Sequence, residues 1–107
     1  MIHDELQSLI NEFHRWWDHF PGMARLIDRN HNVLAANATA RKRGFEPGLV
    51  CAKVGNPASH QGCLMHRMFA EGKAQWDRPK PDRVRAWIPV EGRNDVFVHT
   101  TFYLKKE

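Results

Sequence analysis

Four residues of the stretch CAKVGNPASHQGCLMH, Cys51, His60, Cys63 and His66, are of types that hold metals or react. Thiolate and imidazole together suit zinc, which takes a tetrahedron of sulfur and nitrogen, or another transition metal. On a helix His60 and Cys63 lie three residues apart and share a face, as do Cys63 and His66. Cys51 would reach the same point from the preceding loop. The spacing departs from a strong zinc pattern, which has two close ligand pairs, whereas Cys51 stands alone. Two other readings stay open beside metal or redox chemistry. Cysteine is among the most buried residue types, so both thiols can be structural. A Cys51–Cys63 disulfide would require an oxidising compartment.

A thiol beside an imidazole also resembles a nucleophile with its base. Nothing else in the chain supports catalysis. It has no glycine-rich phosphate loop, no serine-nucleophile elbow and no recognised acid pair, so the expectation is a protein that is not an enzyme.

The elements that must position these residues follow from periodicity. In residues 2–20, Ile2, Leu6, Leu9, Ile10, Phe13, Trp16, Trp17 and Phe20 recur at spacings of three and four, which predicts an amphipathic helix stopped by Pro21-Gly22. Trp16 and Trp17 are adjacent and cannot both enter one core. One of them is expected to meet a partner, which makes Phe13, Trp16, Trp17 and Phe20 candidate homodimer-interface residues. MARLID (23–28) and VLAAN (33–37) flank the turn RNHN and read as a hairpin. ATARKRG (38–44) suits a short helix, and HQGCLMHRMFAEG (60–72) a longer one that Gly72 ends. KAQWDR, RVRAWIPV and VFVHTTFYL read as three strands. In the last, Val96, Val98, Thr100, Phe102 and Leu104 face one way, and Phe97, His99, Thr101 and Tyr103 the other. His99 could line a ligand pocket or a dimer face there, and the preferred reading is that it is tolerated on the less buried face.

Size and charge narrow the classes. A length of 107 residues, 42% of them hydrophobic, is enough for one domain with its own core. No apolar run reaches the roughly 18 residues a membrane-spanning helix needs. The N-terminus lacks the basic-then-apolar order of a secretory signal, so the expectation is cytoplasmic. The net charge is +4, with basic runs at 40–44 and 77–85. Asp77 and Asp82 interrupt the second run and no recognition motif accompanies either, so nucleic acid is not the expected partner.

An order of helix, two strands, short helices and three strands describes an α+β domain on one antiparallel sheet. At this point the chain resembles a PAS domain. LIDRNHNVLAAN is similar to the PAS opening, in which a strand ends in Asp, turns, and runs on to an Asn, here Asn37. ATARKRGFEPG resembles the following helix with its Gly-aromatic ending, and IPVEGRNDVFV the Pro-containing strand, glycine turn and last strand. The likeness covers roughly residues 20–104.

The resemblance implies a five-stranded antiparallel sheet with short helices on one face and an N-terminal capping helix. Residues 1–20 would be the capping and dimerisation helix and 21–107 the PAS-like domain. It further implies a sensory module that binds a small molecule or cofactor between sheet and helices, with Asn37, Phe69, Trp87 and Phe97 as candidate pocket residues. Some PAS domains carry a Cys…Cys-x-x-Cys pattern. Here Cys51, His60 and Cys63 stand at those places, with one cysteine replaced by histidine. Others hold haem through a histidine of the long helix, for which His66 or His60 would serve. The chain ends at FYLKKE with no attached effector, so signalling is expected to pass through a partner protein, or the chain is a fragment of a larger sensor.

Overall fold

The computed structural model describes residues 2–50 and 63–104. Cys51 and His60 lie outside them. A helix, α1 (Ile2–Trp17), precedes the hairpin β1 (Met23–Asp28) and β2 (Val33–Ala36). Two short helices follow, α2 (Ala38–Lys42) and α3 (Met65–Glu71), and then β3 (Gln75–Lys80), β4 (Arg83–Pro89) and β5 (Val96–Tyr103). The strands form one antiparallel sheet in the order β2-β1-β5-β4-β3, so the first and last strands of the chain pair at its centre. The expected α+β architecture is therefore the observed one.

Alternation along the strands gives the sheet two faces, and both are covered. On the inner face Met23, Ile27, Phe97 and Trp87 pack with Ala40, Phe45, Met65 and Met68, under α2 and α3. On the outer face Ala24, Leu26, Val96 and Val98 pack with Phe13 of α1. Leu9, Ile10, Trp17 and Phe20 flank this second core. Phe13 is buried in the chain's own core, and Trp17 and Phe20 meet edge to face at 5.5 Å. Three of the four residues expected at a dimer interface thus serve α1's own docking. Only Trp16, 73% exposed, turns outward.

Two helix boundaries differ from expectation for local reasons. The first helix closes at Trp17, and Asn37 accounts for that end, as described below. The helix expected over 60–72 begins at Met65, and its N-cap Leu64 has no side-chain oxygen to receive an amide. Gly72 ends it in the left-handed conformation, as expected.

In the β1–β2 turn, Asp28 Oδ1 accepts from the backbone N–H groups of Asn30 and Asn32, both at 2.9 Å, and Asn32 Nδ2 donates to Oδ2. His31, between the two asparagines, has φ 67°, a conformation that costs a residue with a Cβ roughly 1 kcal/mol and glycine nothing. His31→Gly is expected to raise the urea midpoint slightly, whereas His31→Val should lower it.

The β4–β5 turn carries Arg93, whose Nε and Nη2 donate to Asp95 at 2.8 and 2.7 Å. This fork of hydrogen bonds, more than its Coulomb field, holds the Asp95 carboxyl below the ordinary carboxylate range. A depressed folded pKa means that the pair's contribution is present above the unfolded carboxylate pKa and is lost as pH falls through the folded one. Because Asp95 is half exposed, the effect on stability is small. Arg93→Gln is expected to move the Asp95 titration upward in a carbonyl ¹³C NMR pH series.

Candidate functional site

The middle of the inner face is polar, which is unusual for a surface buried under helices. Pairing places the residues. Arg25 of β1 stands opposite His99 of β5, and His99 opposite Trp87 of β4. One step along, Met23 opposes Thr101, Thr101 opposes Arg85, and Arg85 opposes Asp77 of β3. These residues alternate with the ones that face α1, so the strand period alone puts them under α2 and α3.

All of them except the partly exposed Asp77 are buried. Arg25 is 2% exposed, and its Nη2 donates to Thr101 Oγ1 at 2.8 Å. Its guanidinium lies 4.5 Å from the centre of the Phe45 ring. Arg85 grips Asp77 with two hydrogen bonds of 2.9 and 2.5 Å and lies 5.1 Å from the Trp87 ring centre. Such a two-pronged pair compensates the desolvation of a guanidinium that is 5% exposed. His99 stacks on Trp87 with centroids 4.7 Å apart and planes inclined by 16°. Its Nδ1 is 2.8 Å from the carbonyl oxygen of Ala86, an atom that only accepts, so the proton sits on Nδ1. Trp87 is fully buried, and its Nε1–H has no hydrogen-bond partner among the described residues.

Apolar groups frame this set. Met65 and Met68 come from α3, and Phe69 meets Phe97 edge to face at 5.7 Å. The guanidinium of Arg29, 3.9 Å from the Phe69 ring centre, covers that ring from the β1–β2 turn. Phe69, Trp87 and Phe97, expected as pocket residues, are thus brought together.

Asn37, the fourth, is elsewhere engaged. It is fully buried, and its Oδ1 accepts from the N–H groups of Ala24 and Ala40 at 3.1 and 3.0 Å. Its Nδ2 donates to the carbonyls of Trp17 and Gly22, both at 3.0 Å. All four hydrogen-bonding positions of the amide are taken by the chain itself. Asn37 ties the end of α1 to the start of β1 and caps α2.

Of the quartet considered for metal, only Cys63 and His66 are described. Both are exposed, and Cys63 precedes the first residue of α3 rather than sharing a helical face with His66. The shared-face argument therefore does not hold for this pair. Among the described residues no three His, Cys, Asp or Glu side chains are grouped to hold an ion. Elemental analysis of the purified chain is the measurement that decides the quartet.

His99 corrects a second expectation. It is buried on the inner face rather than tolerated on an open one, stacked on Trp87 and beside the Phe97 ring. Arg25, Arg85 and Thr101 were not anticipated as site residues. The signal was available: Arg25 alternates with Met23 and Ile27, Arg85 with Trp87, and Thr101 with Phe97 and His99.

Neither protein-family models nor curated proteins match this chain. Among solved structures it is similar to the crystal structure of a sensory box sensor histidine kinase from Vibrio cholerae, with a TM-score of 0.68 and 8% sequence identity. The match covers 97% of this chain and 93% of that one. At that identity the likeness speaks to fold, and the fold is PAS-like: the five-stranded sheet with its helices is the architecture that the sequence resemblance implied.

Proposed function

We propose that this PAS-like chain is a sensory signalling module that binds a small molecule at the inner face of its sheet and passes its bound state to a partner protein. The observation that carries this reading is the polar set Arg25, Thr101, Arg85, His99 and Trp87, buried where an apolar core would be cheaper. Burying guanidinium and indole groups costs stability unless each is well matched. A fold that needed only a core would be served by aliphatic residues at these positions. The sensory-box neighbour supports the signalling class through its fold. Among the described residues no helix is long and apolar enough to cross a membrane.

Denaturing mass spectrometry of the purified protein, joined to a thermal-shift screen of a metabolite panel, tests the reading. A co-purified or stabilising small molecule is expected, with its effect reduced at least about tenfold by Thr101→Val. An empty protein that no compound stabilises would overturn it.

Trp16 favours a second association, homodimerisation through α1, since an indole 73% exposed beside an apolar groove lined by Leu9, Phe13, Val90 and Val98 is an unfavourable surface in isolation. Trp16→Glu is expected to shift light-scattering mass from dimer to monomer with no loss of thermal stability. A wild-type monomer at high protein concentration would refute this.

A further inference from the structure

Trp76 has no role in either core. It stands on β3 at the edge of the sheet and is 69% exposed, second only to Trp16 among the large apolar side chains of the described residues. Pairing places it. Trp76 opposes Ala86, Ala86 opposes Thr100, and Thr100 opposes Ala24, which packs with Phe13 of α1. Its side of the sheet is therefore the outer one. α1 lies over β1 and β2 and leaves the outer side of β3 to solvent. From Trp76 the apolar surface runs through the half-buried Ala86 and Ile88 to Val98.

Val98 also belongs to a groove. With Leu9, Trp16, Leu26 and Val90 it lines a space of about 180 Å³ between α1 and the sheet. Pockets that hold small-molecule ligands measure roughly 300–1,000 Å³, so this one suits a single inserted side chain. Glu12 stands in its lining. Two residues after Trp76 on β3 comes the exposed Arg78, whose guanidinium donates to the carbonyl of Pro81. Neither Glu12 nor Arg78 enters an ion pair among the described residues. One outer face thus carries an apolar knob with a cation and an apolar hole with an anion. Such a surface is self-complementary, and a two-fold axis satisfies both halves at once.

We propose that two copies meet outer face to outer face about a two-fold axis, each seating its Trp76 in the α1 groove of the other, with Arg78 beside the other copy's Glu12. This rests on the homodimer reading above and names the surface that α1 meets: the β3 edge of the second copy rather than its α1. Trp16, at the side of the groove, is covered by the inserted indole.

The test is the light-scattering mass of the full chain over a concentration series at low ionic strength, where the charge pair is least screened. Trp76→Glu is expected to weaken the dimer at least about tenfold with an unchanged thermal midpoint. Glu12→Lys and Arg78→Glu should each weaken it about tenfold, because the two-fold axis repeats each change. An equimolar mixture of those two charge variants should recover the dimer, since opposite charges then meet in both grooves. A Trp76→Glu variant that associates as the wild type does overturns this arrangement; if Trp16→Glu is then monomeric, the dimer runs through α1 alone. A mixture no tighter than either charge variant by itself overturns it as well. Should Trp76→Glu fail to fold, the charge variants decide. A wild-type chain that stays monomeric at high protein concentration removes both this arrangement and the homodimer reading.

Discussion

Gly22→Ala is expected to lower stability by about 3 kcal/mol, an unusually large effect for one added methyl group. A Cβ at position 22 would sit 2.5 Å from the carbonyl oxygen of Thr101, 2.9 Å from Phe20 Cε2 and 3.1 Å from Phe102 Cα. The phenyl ring can turn aside. The other two contacts are backbone of β5, the strand at the centre of the sheet, and cannot yield without disturbing the pairing on both of its sides. The chain must therefore lift away at the point where Met23 first pairs with Thr101. Gly22 is not among the glycines with positive φ, so the cost is steric rather than conformational. Gly92 supplies the control. It has φ 81° and open space around its Cα, so Gly92→Ala should cost only the roughly 1 kcal/mol of a left-handed alanine. Urea denaturation of the two variants side by side is the measurement. If Gly22→Ala is no worse than Gly92→Ala, the close approach of the β1 entrance to β5 is not what this glycine provides.

Position 22 also illustrates what a sequence can and cannot disclose here. Pro21-Gly22 was legible as the end of a helix, because proline and glycine act locally. That the same glycine lies against Thr101 was not, since the contact spans the chain and depends on β1 and β5 pairing. The inner face divides along the same line. The alternation of VFVHTTFY placed Phe97, His99 and Thr101 on one face, and the structure has them there. What the alternation did not supply was the value of the face. A strand reading MARLID invites the view that its arginine is a lapse at an exposed position, and RVRAWIP reads as part of a basic run. Burial of Arg25 and Arg85 becomes visible only when Thr101, 76 residues away, and Asp77, across a hairpin, are seen as their partners. The shared helical face expected for Cys63 and His66 missed differently. It assumed that the helix reaching Gly72 extends back to His60, and periodicity without an N-cap residue gave no warning that it starts at Met65.

Asn37 carries the second large effect, because it is legible as a residue and illegible as a joint. Its motif position marks it out, yet its work is to satisfy four backbone groups from three separate segments. Asn37→Ala would strip acceptors from the N–H groups of Ala24 and Ala40 and donors from the carbonyls of Trp17 and Gly22. Loss of an N-cap alone costs about 1 kcal/mol, whereas each buried group left unmatched costs roughly 1–3 kcal/mol, so a total near 4 kcal/mol is expected. The loss should also be uneven. Amide exchange over α1 should accelerate more than over β4 and β5, since the amide is what fixes the end of α1 to the sheet. Asn37→Asp separates the two halves of the joint. Its carboxylate keeps both accepting functions but turns an oxygen toward the carbonyls of Trp17 and Gly22, where only a donor is tolerated. That repulsion disfavours the charged form, so the folded pKa of the new carboxyl lies above its unfolded value. Such a group favours the fold below the unfolded pKa and loses that contribution as pH rises through the folded one. Asn37→Asp should therefore gain on Asn37→Ala as the solution is acidified from neutral, and the difference between their urea midpoints at pH 7 and pH 4.5 measures it. A cost for Asn37→Ala of only about 1 kcal/mol, with exchange raised equally everywhere, would reduce Asn37 to an ordinary helix cap. A larger, α1-directed loss would make it the link through which the inner face and the capping helix hold one another in place.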